Sequence, residues 1–133
     1  MDNKILKEFQ LEHVILRSIN MNALPLHESA DVNMNGKWTL SYEIEEDTLS
    51  ITAMYHFSFD PATLLEADMK YHLSYKVTGE YDVKDVEKLL PRLASPCAAK
   101  NSLLIGEITN QALGGNPIVT VPFIRDAEII SHV

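Results

Sequence analysis

The chain has 133 residues, enough for one domain with a real core, and a hydrophobic content of 46% excludes an intrinsically disordered chain. A formal net charge of −8 excludes nucleic acid as a partner, because too little positive charge is present to neutralise phosphates. A single cysteine cannot form an internal disulfide, the opening "MDNKILKEFQ" has no apolar signal-like core, and no run approaches the ~20 apolar residues of a membrane span. These features point to a soluble protein of a reducing, cytoplasmic compartment, with no membrane insertion.

In chain order, the first structured run is "FQLEHVILRSINM", which is β-prone but loses its alternation around His13–Ile15, as a β-bulge at a sheet edge would require. In the second run Trp38, Leu40, Tyr42 and Ile44 alternate with Thr39, Ser41, Glu43 and Glu45, and "EEDT" makes the next reversal. In the third, "LSITAMYHFSF", Leu49, Ile51, Ala53, Tyr55, Phe57 and Phe59 form one face, and Met54 alone interrupts the polar one. Asp60-Pro61 marks a turn. The fourth, "LEADMKYHLSYKVT", alternates throughout: Leu65, Ala67, Met69, Tyr71, Leu73, Tyr75 and Val77 against polar neighbours. Period-two alternation of this length predicts strands with one apolar and one wet face. Four such strands joined in order predict an antiparallel meander.

Helical signals come late. "YDVKDVEKLLPRL" offers Asp82 as N-cap, with Val83, Val86 and Leu90 on one face and Pro91 as a stop. A second, longer helix is expected from "SPCAAKNSLLIGEITNQALGGNP". Ser95 is its N-cap, Pro96 its first position, Leu104, Ile105, Ile108 and Ala112 its apolar stripe, and Gly114-Gly115 with Asn116-Pro117 its end. "IVTVPF" follows as an extended segment. Strands followed by helices make the expected class α+β, in a single domain over residues 1–133. A short and a longer helix cover only part of such a sheet. Some of the surface around Trp38, Tyr42, Tyr55, Met69, Tyr71 and Tyr75 is therefore expected to need another subunit or another chain.

Signals for chemistry are sparse. Cys97 falls at a predicted helix start, where the dipole would lower a thiol pKa, but no base or orienting group accompanies it, and it reads as a small packing residue. Centring a hairpin on Asp60-Pro61 puts His56 opposite Asp68 and His72 opposite Thr52, a cross-strand ion pair rather than a metal site. No HExxH or CxxC occurs, "EIEEDT" reads as a solvated turn, and "GGNP" lacks the lysine of a phosphate loop. Neither a cofactor nor a bound metal is expected, and nothing argues for an enzyme.

The order of elements, together with "FQLEHV" in the first strand, Trp38 opening the second, and "LASPCAAKNSLLIGEITNQALGGNPIVTVPF" at the end, resembles the SecB export chaperones across about residues 9–124. The resemblance implies a holdase that binds extended apolar segments of unfolded or pre-export polypeptides, and a homodimer or a dimer of dimers. It implies a client groove containing Trp38, Tyr42, Ile44, Ala67, Met69, Tyr71 and Phe123. It also places Glu66 and Asp68 where the family's motor partner, SecA, is contacted, while Ser18 and Asn22 stand uncharged at two first-strand positions that are acidic in the family. The alternative is the same scaffold dedicated to one partner, such as an antitoxin or a regulator, without general chaperone activity.

Overall fold

A computed structural model describes residues 9–25, 33–61, 65–79, 82–112 and 117–131. The four alternating runs form strands β1 (Phe9–Ala23), β2 (Asn33–Glu45), β3 (Thr48–Asp60) and β4 (Leu65–Val77). They are followed by one helix, α1 (Val83–Ala112), and a short strand β5 (Ala127–Ser131). The sheet is five-stranded in the order β1-β4-β3-β2-β5, with β2 and β5 parallel and the other pairs antiparallel.

This corrects the expected four-stranded meander in two places. Only β2, β3 and β4 follow one another across the sheet; β1 pairs with β4, at the opposite edge from β5. Residues 24–32 separate β1 from β2, a connection longer than hairpin loops, so adjacency is not enforced. The fifth strand follows the extended "IVTVPF", in a stretch for which no element was expected. Its "AEIIS" has adjacent isoleucines and no period, and it becomes a strand through parallel pairing with Trp38–Tyr42. The Lys37 Nζ–Glu128 Oε2 ion pair at 3.0 Å bridges the same two strands on the surface.

The slip in β1 resolves into two register shifts, one between Leu11 and His13 and one between Leu16 and Ser18. Each inserts one extra residue, Glu12 and then Arg17, against the regular β4. The consequence is visible in the pairing. Phe9, Leu11, Val14, Leu16, Ile19, Met21 and Ala23 stand opposite Val77, Tyr75, Leu73, Tyr71, Met69, Ala67 and Leu65, all on the helix-facing side. A strict alternation from Phe9 would have turned Val14 and Leu16 to the other face. The bulges therefore re-phase an irregular sequence onto one face.

The two expected helices are a single helix of 30 residues with Pro91 and Pro96 inside it. Asp82 caps it as expected, with Lys84 N–H donating to Asp82 Oδ1 at 3.0 Å. The buried stripe Val86, Leu90, Leu93 and Cys97 crosses both prolines at the three- and four-residue spacing of one helical face, and Asn101, Ile105 and Thr109 continue it in four-residue steps. Each interior proline costs about 3 kcal/mol in an isolated helix, and packing of this stripe on the sheet offsets that cost. Ser95 is accordingly no N-cap; its hydroxyl donates back to the Pro91 carbonyl at 2.8 Å. Gly114, Gly115 and Asn116, expected to end the helix, lie outside the described residues.

A continuous helix of this length rises about 45 Å, as long as the strands it covers. Three tyrosines of the sheet donate hydrogen bonds to it: Tyr42 to Glu87 Oε1 at 2.7 Å, Tyr75 to the Leu93 carbonyl at 2.6 Å and Tyr71 to Asn101 Oδ1 at 3.0 Å. Trp38, Tyr42, Met69 and Tyr71 are only 8%, 5%, 1% and 2% exposed, so the expectation that these side chains need an outside cover is corrected. On the helix side of the sheet the uncovered apolar area lies instead on the edge strand β1, where Leu11, Leu16, Ile19 and Met21 are 42–47% exposed. No helix among the described residues is long and apolar enough to cross a membrane.

Candidate functional site

Ser95, Ser102 and Thr109 recur at seven-residue intervals, two helical turns apart, and so line one side of α1. Each ties down the extended segment that follows the helix. Ser95 Oγ accepts from Ile124 N–H at 3.1 Å, Ser102 Oγ donates to the Thr120 carbonyl at 2.8 Å, and Thr109 Oγ1 accepts from Ile118 N–H at 2.7 Å. From 95 to 109 a helix rises about 21 Å. From 118 to 124 an extended chain covers about 20 Å. The lengths match, and the segment runs antiparallel to the helix along the hydroxyl row. Thr120 and Ile124 are thereby buried, and Val119, Val121 and Phe123 are left 84%, 57% and 46% exposed.

These outward side chains wall a groove of about 390 Å³, open to solvent, whose other side is Met34, Gly36, Trp38 and Tyr55 of β2 and β3. Asn101 and Thr120 are the buried polar members of its lining. Thr120 Oγ1 has no hydrogen-bond partner in the chain among the described residues. Arg125 lies over the Phe123 ring at 5.7 Å, a cation–π contact at the rim. The indole of Trp38 packs against Tyr55, with ring centroids 4.7 Å apart.

Gly36 shapes the groove. A Cβ there would overlap the Tyr55 hydroxyl and lie 2.7 Å from its Cζ, so only glycine lets that ring lie across the strand. Gly36→Ala is expected to displace Tyr55 from Trp38 and to lower the unfolding free energy by about 1–3 kcal/mol. Urea unfolding checks this, and an unchanged midpoint would show that Tyr55 swings aside freely.

Of the residues implied for a client groove, Trp38 and Phe123 line this one. Tyr42, Ala67, Met69 and Tyr71 are buried between sheet and helix, and Ile44 is half-buried against the same core. Met34, Gly36, Val119, Val121 and Arg125 were not singled out from the sequence, and Tyr55 was read as part of the sheet's apolar face but not as a groove residue. The available signal was "IVTVPFI", an extended run apolar on both faces, which a segment covered on one side only does not require.

The opposite face of the sheet carries the remaining polar candidates. His56 stands opposite Asp68 and His72 opposite Thr52, as the hairpin predicts, and His56 Nδ1 lies 2.7 Å from Asp68 Oδ1. Exposed pairs of this kind contribute roughly 0–1 kcal/mol. Glu66 and Asp68 stand opposite Asn22 and Asn20 of β1. His13 Nε2 and His72 Nδ1 are 3.2 Å apart. Burial, then the neighbouring His13 and Arg17, hold the His72 pKa below the usual histidine value. The unfolded chain therefore takes up this proton first, so stability is intact above about pH 6.5 and falls as the pH drops below it. His72→Gln is expected to flatten that fall in melting temperature, and equal acid slopes in the two proteins would contradict it.

Cys97 lies mid-helix, fully buried, because the helix begins at Val83 rather than beside it. Burial pushes its thiol up to about 12, the reverse of the lowering expected at a helix start, and the group is protonated at neutral pH. Among the described residues no group of three or more His, Cys, Asp or Glu side chains is placed to share a metal ion.

No protein-family model matches the sequence, and no curated protein matches it. Among solved structures, the Mycobacterium tuberculosis SecB-like chaperone Rv1957, in complex with a ChAD peptide from the Rv1956 HigA1 antitoxin, aligns with a TM-score of 0.71 at 8% identity. That alignment covers 90% of this chain and 94% of the chaperone chain. A protein of unknown function from Streptococcus agalactiae aligns over 86% of this chain and 97% of its own, with a TM-score of 0.46 and 16% identity. With its bulged edge strand, three-strand meander and single long helix, the chain has the SecB-like fold.

Proposed function

We propose that this protein is a SecB-like holdase that keeps extended apolar segments of unfolded polypeptides from aggregating. The observation that carries the reading is the wall of Val119, Val121 and Phe123, held outward by the hydroxyl row of α1 over a floor of Trp38 and Tyr55. Aromatic and apolar lining with few polar points suits side chains of varied shape. Tyr42, Ile44, Ala67, Met69 and Tyr71 then act as the packed layer beneath the groove. The test is aggregation of a chemically unfolded client with and without the purified protein. The proposal predicts suppression that saturates with protein concentration, and equal aggregation in both samples would end it.

A second reading is favoured by the fold neighbour, which holds a peptide from an antitoxin: the groove serves one dedicated partner. Saturable suppression for several unrelated clients speaks for the general holdase, and binding of a single partner peptide alone speaks for the dedicated one.

The exposed helix-side strip of β1 is proposed to pair with a second copy of the chain, giving a homodimer or a dimer of dimers. Its Leu11, Leu16, Ile19 and Met21 form an apolar flank beside a sheet edge that has no strand beyond it among the described residues. Light scattering with chromatography measures the mass directly; a strict monomer at micromolar concentration would dismiss the pairing. Glu66 and Asp68 remain the proposed contact with a SecA-like motor, although Asp68 is already engaged by His56.

A further inference from the structure

The first bulge of β1 brings two histidines together on the sheet face away from the groove. Under strict alternation from Phe9, His13 would stand on the helix side of its strand. The extra residue Glu12 turns it to the other face, where it sits opposite Ser74 and diagonal to His72. His13 Nε2 and His72 Nδ1 then lie 3.2 Å apart, and the ring centroids 5.3 Å apart. Nitrogens held about 2.0–2.1 Å from one tetrahedral zinc ion are roughly 3.3–3.4 Å apart, with ring centroids roughly 5.2 Å apart. Both observed distances agree with that geometry to within about 0.2 Å. The pair is accessible, since His13 is exposed and His72 half-buried.

We propose that His13 Nε2 and His72 Nδ1 bind a zinc ion, with water in its remaining positions, and that the ion ties the edge strand β1 to β4. Without the ion one ring donates a hydrogen bond to the other. Binding moves that proton to the far nitrogen of the donor ring and turns both facing lone pairs to the metal. Burial, then His13 and Arg17, keep His72 neutral at pH 7, so a proton does not compete for it. Glu12, whose Oε1 accepts from Ser74 Oγ at 3.2 Å, sets a carboxylate on this face that opposes the positive charge of Arg17. The net charge of −8 further favours a cation. The site lies on the face opposite Trp38 and Tyr55, and it stands whether or not the groove holds clients.

The experiment uses the full chain without an affinity tag and zinc chloride as the probe, read by titration calorimetry at about pH 7.5. The expected result is one zinc per chain, with affinity about tenfold or more weaker in both His13→Gln and His72→Gln. His56→Gln is the control on the same face, since His56 is already paired with Asp68, and it should bind as the parent does. Magnesium, which prefers oxygen ligands, should not bind. Thermal melting gives a second readout. Zinc at about a hundredfold excess over its dissociation constant should raise the melting temperature of the parent by about 5 °C or more, and clearly less in the two variants. No zinc binding by the parent, parent-like affinity in either His13→Gln or His72→Gln, or a loss in His56→Gln would overturn the site.

Discussion

The double variant Val119→Asp with Phe123→Asp is expected to lose client holding by about 100-fold or more and to keep the stability of the parent. The two side chains are 84% and 46% exposed, so little folding energy depends on covering them. Substitutions at such sites change stability by about 0.5 kcal/mol or less. In the client-bound state the same positions would be covered by apolar side chains. Burying a carboxylate there without a partner costs several kcal/mol, far more than the contact it replaces. Client affinity by anisotropy and unfolding by urea separate the two effects. A variant that holds clients as well as the parent would remove this wall from the site.

Leu90→Ala is expected to cost about 2–5 kcal/mol, a large share of the stability of a domain this size. Leu90 is fully buried near the start of the helix stripe, and truncation opens a cavity between α1 and the sheet. Leu16→Ala provides the contrast. That residue is 42% exposed on β1, and in a single chain its loss should cost well under half as much. If β1 joins a second copy, the Leu16→Ala penalty grows with protein concentration, because association is then part of stability. Urea unfolding of both variants at two concentrations reads all of this. A Leu16→Ala cost equal to that of Leu90→Ala at the lower concentration would show that β1 is already covered by its own chain.

What was legible followed from local period. Two-residue alternation located β2, β3 and β4, and the Asp60-Pro61 turn gave the register that joins His56 to Asp68. The helix was misread because local rules treat Pro91 as a stop and Ser95-Pro96 as a start, and they carry no knowledge of the sheet that holds the helix straight through both. The stripe from Val86 to Thr109 was the better guide, since its spacing of three or four residues never resets. The placement of β1 beside β4, and the existence of β5, depend on pairing between distant segments and leave no local trace. Trp38 and Phe123 came from the family resemblance and line the groove, while the polar ladder of Ser95, Ser102 and Thr109 went unnoticed. Three hydroxyl residues at seven-residue spacing look like solvated positions until the segment bonded to them is known.

The sole tryptophan of the chain, Trp38, lies in the groove and reports on it without any label. The decisive measurement is the emission of Trp38 during titration with an unfolded polypeptide that has no tryptophan of its own. A saturable shift that tracks client binding, and that disappears in the Val119→Asp, Phe123→Asp variant, is the predicted result. Client binding with Trp38 emission unmoved would place the polypeptide elsewhere on the molecule and contradict the site.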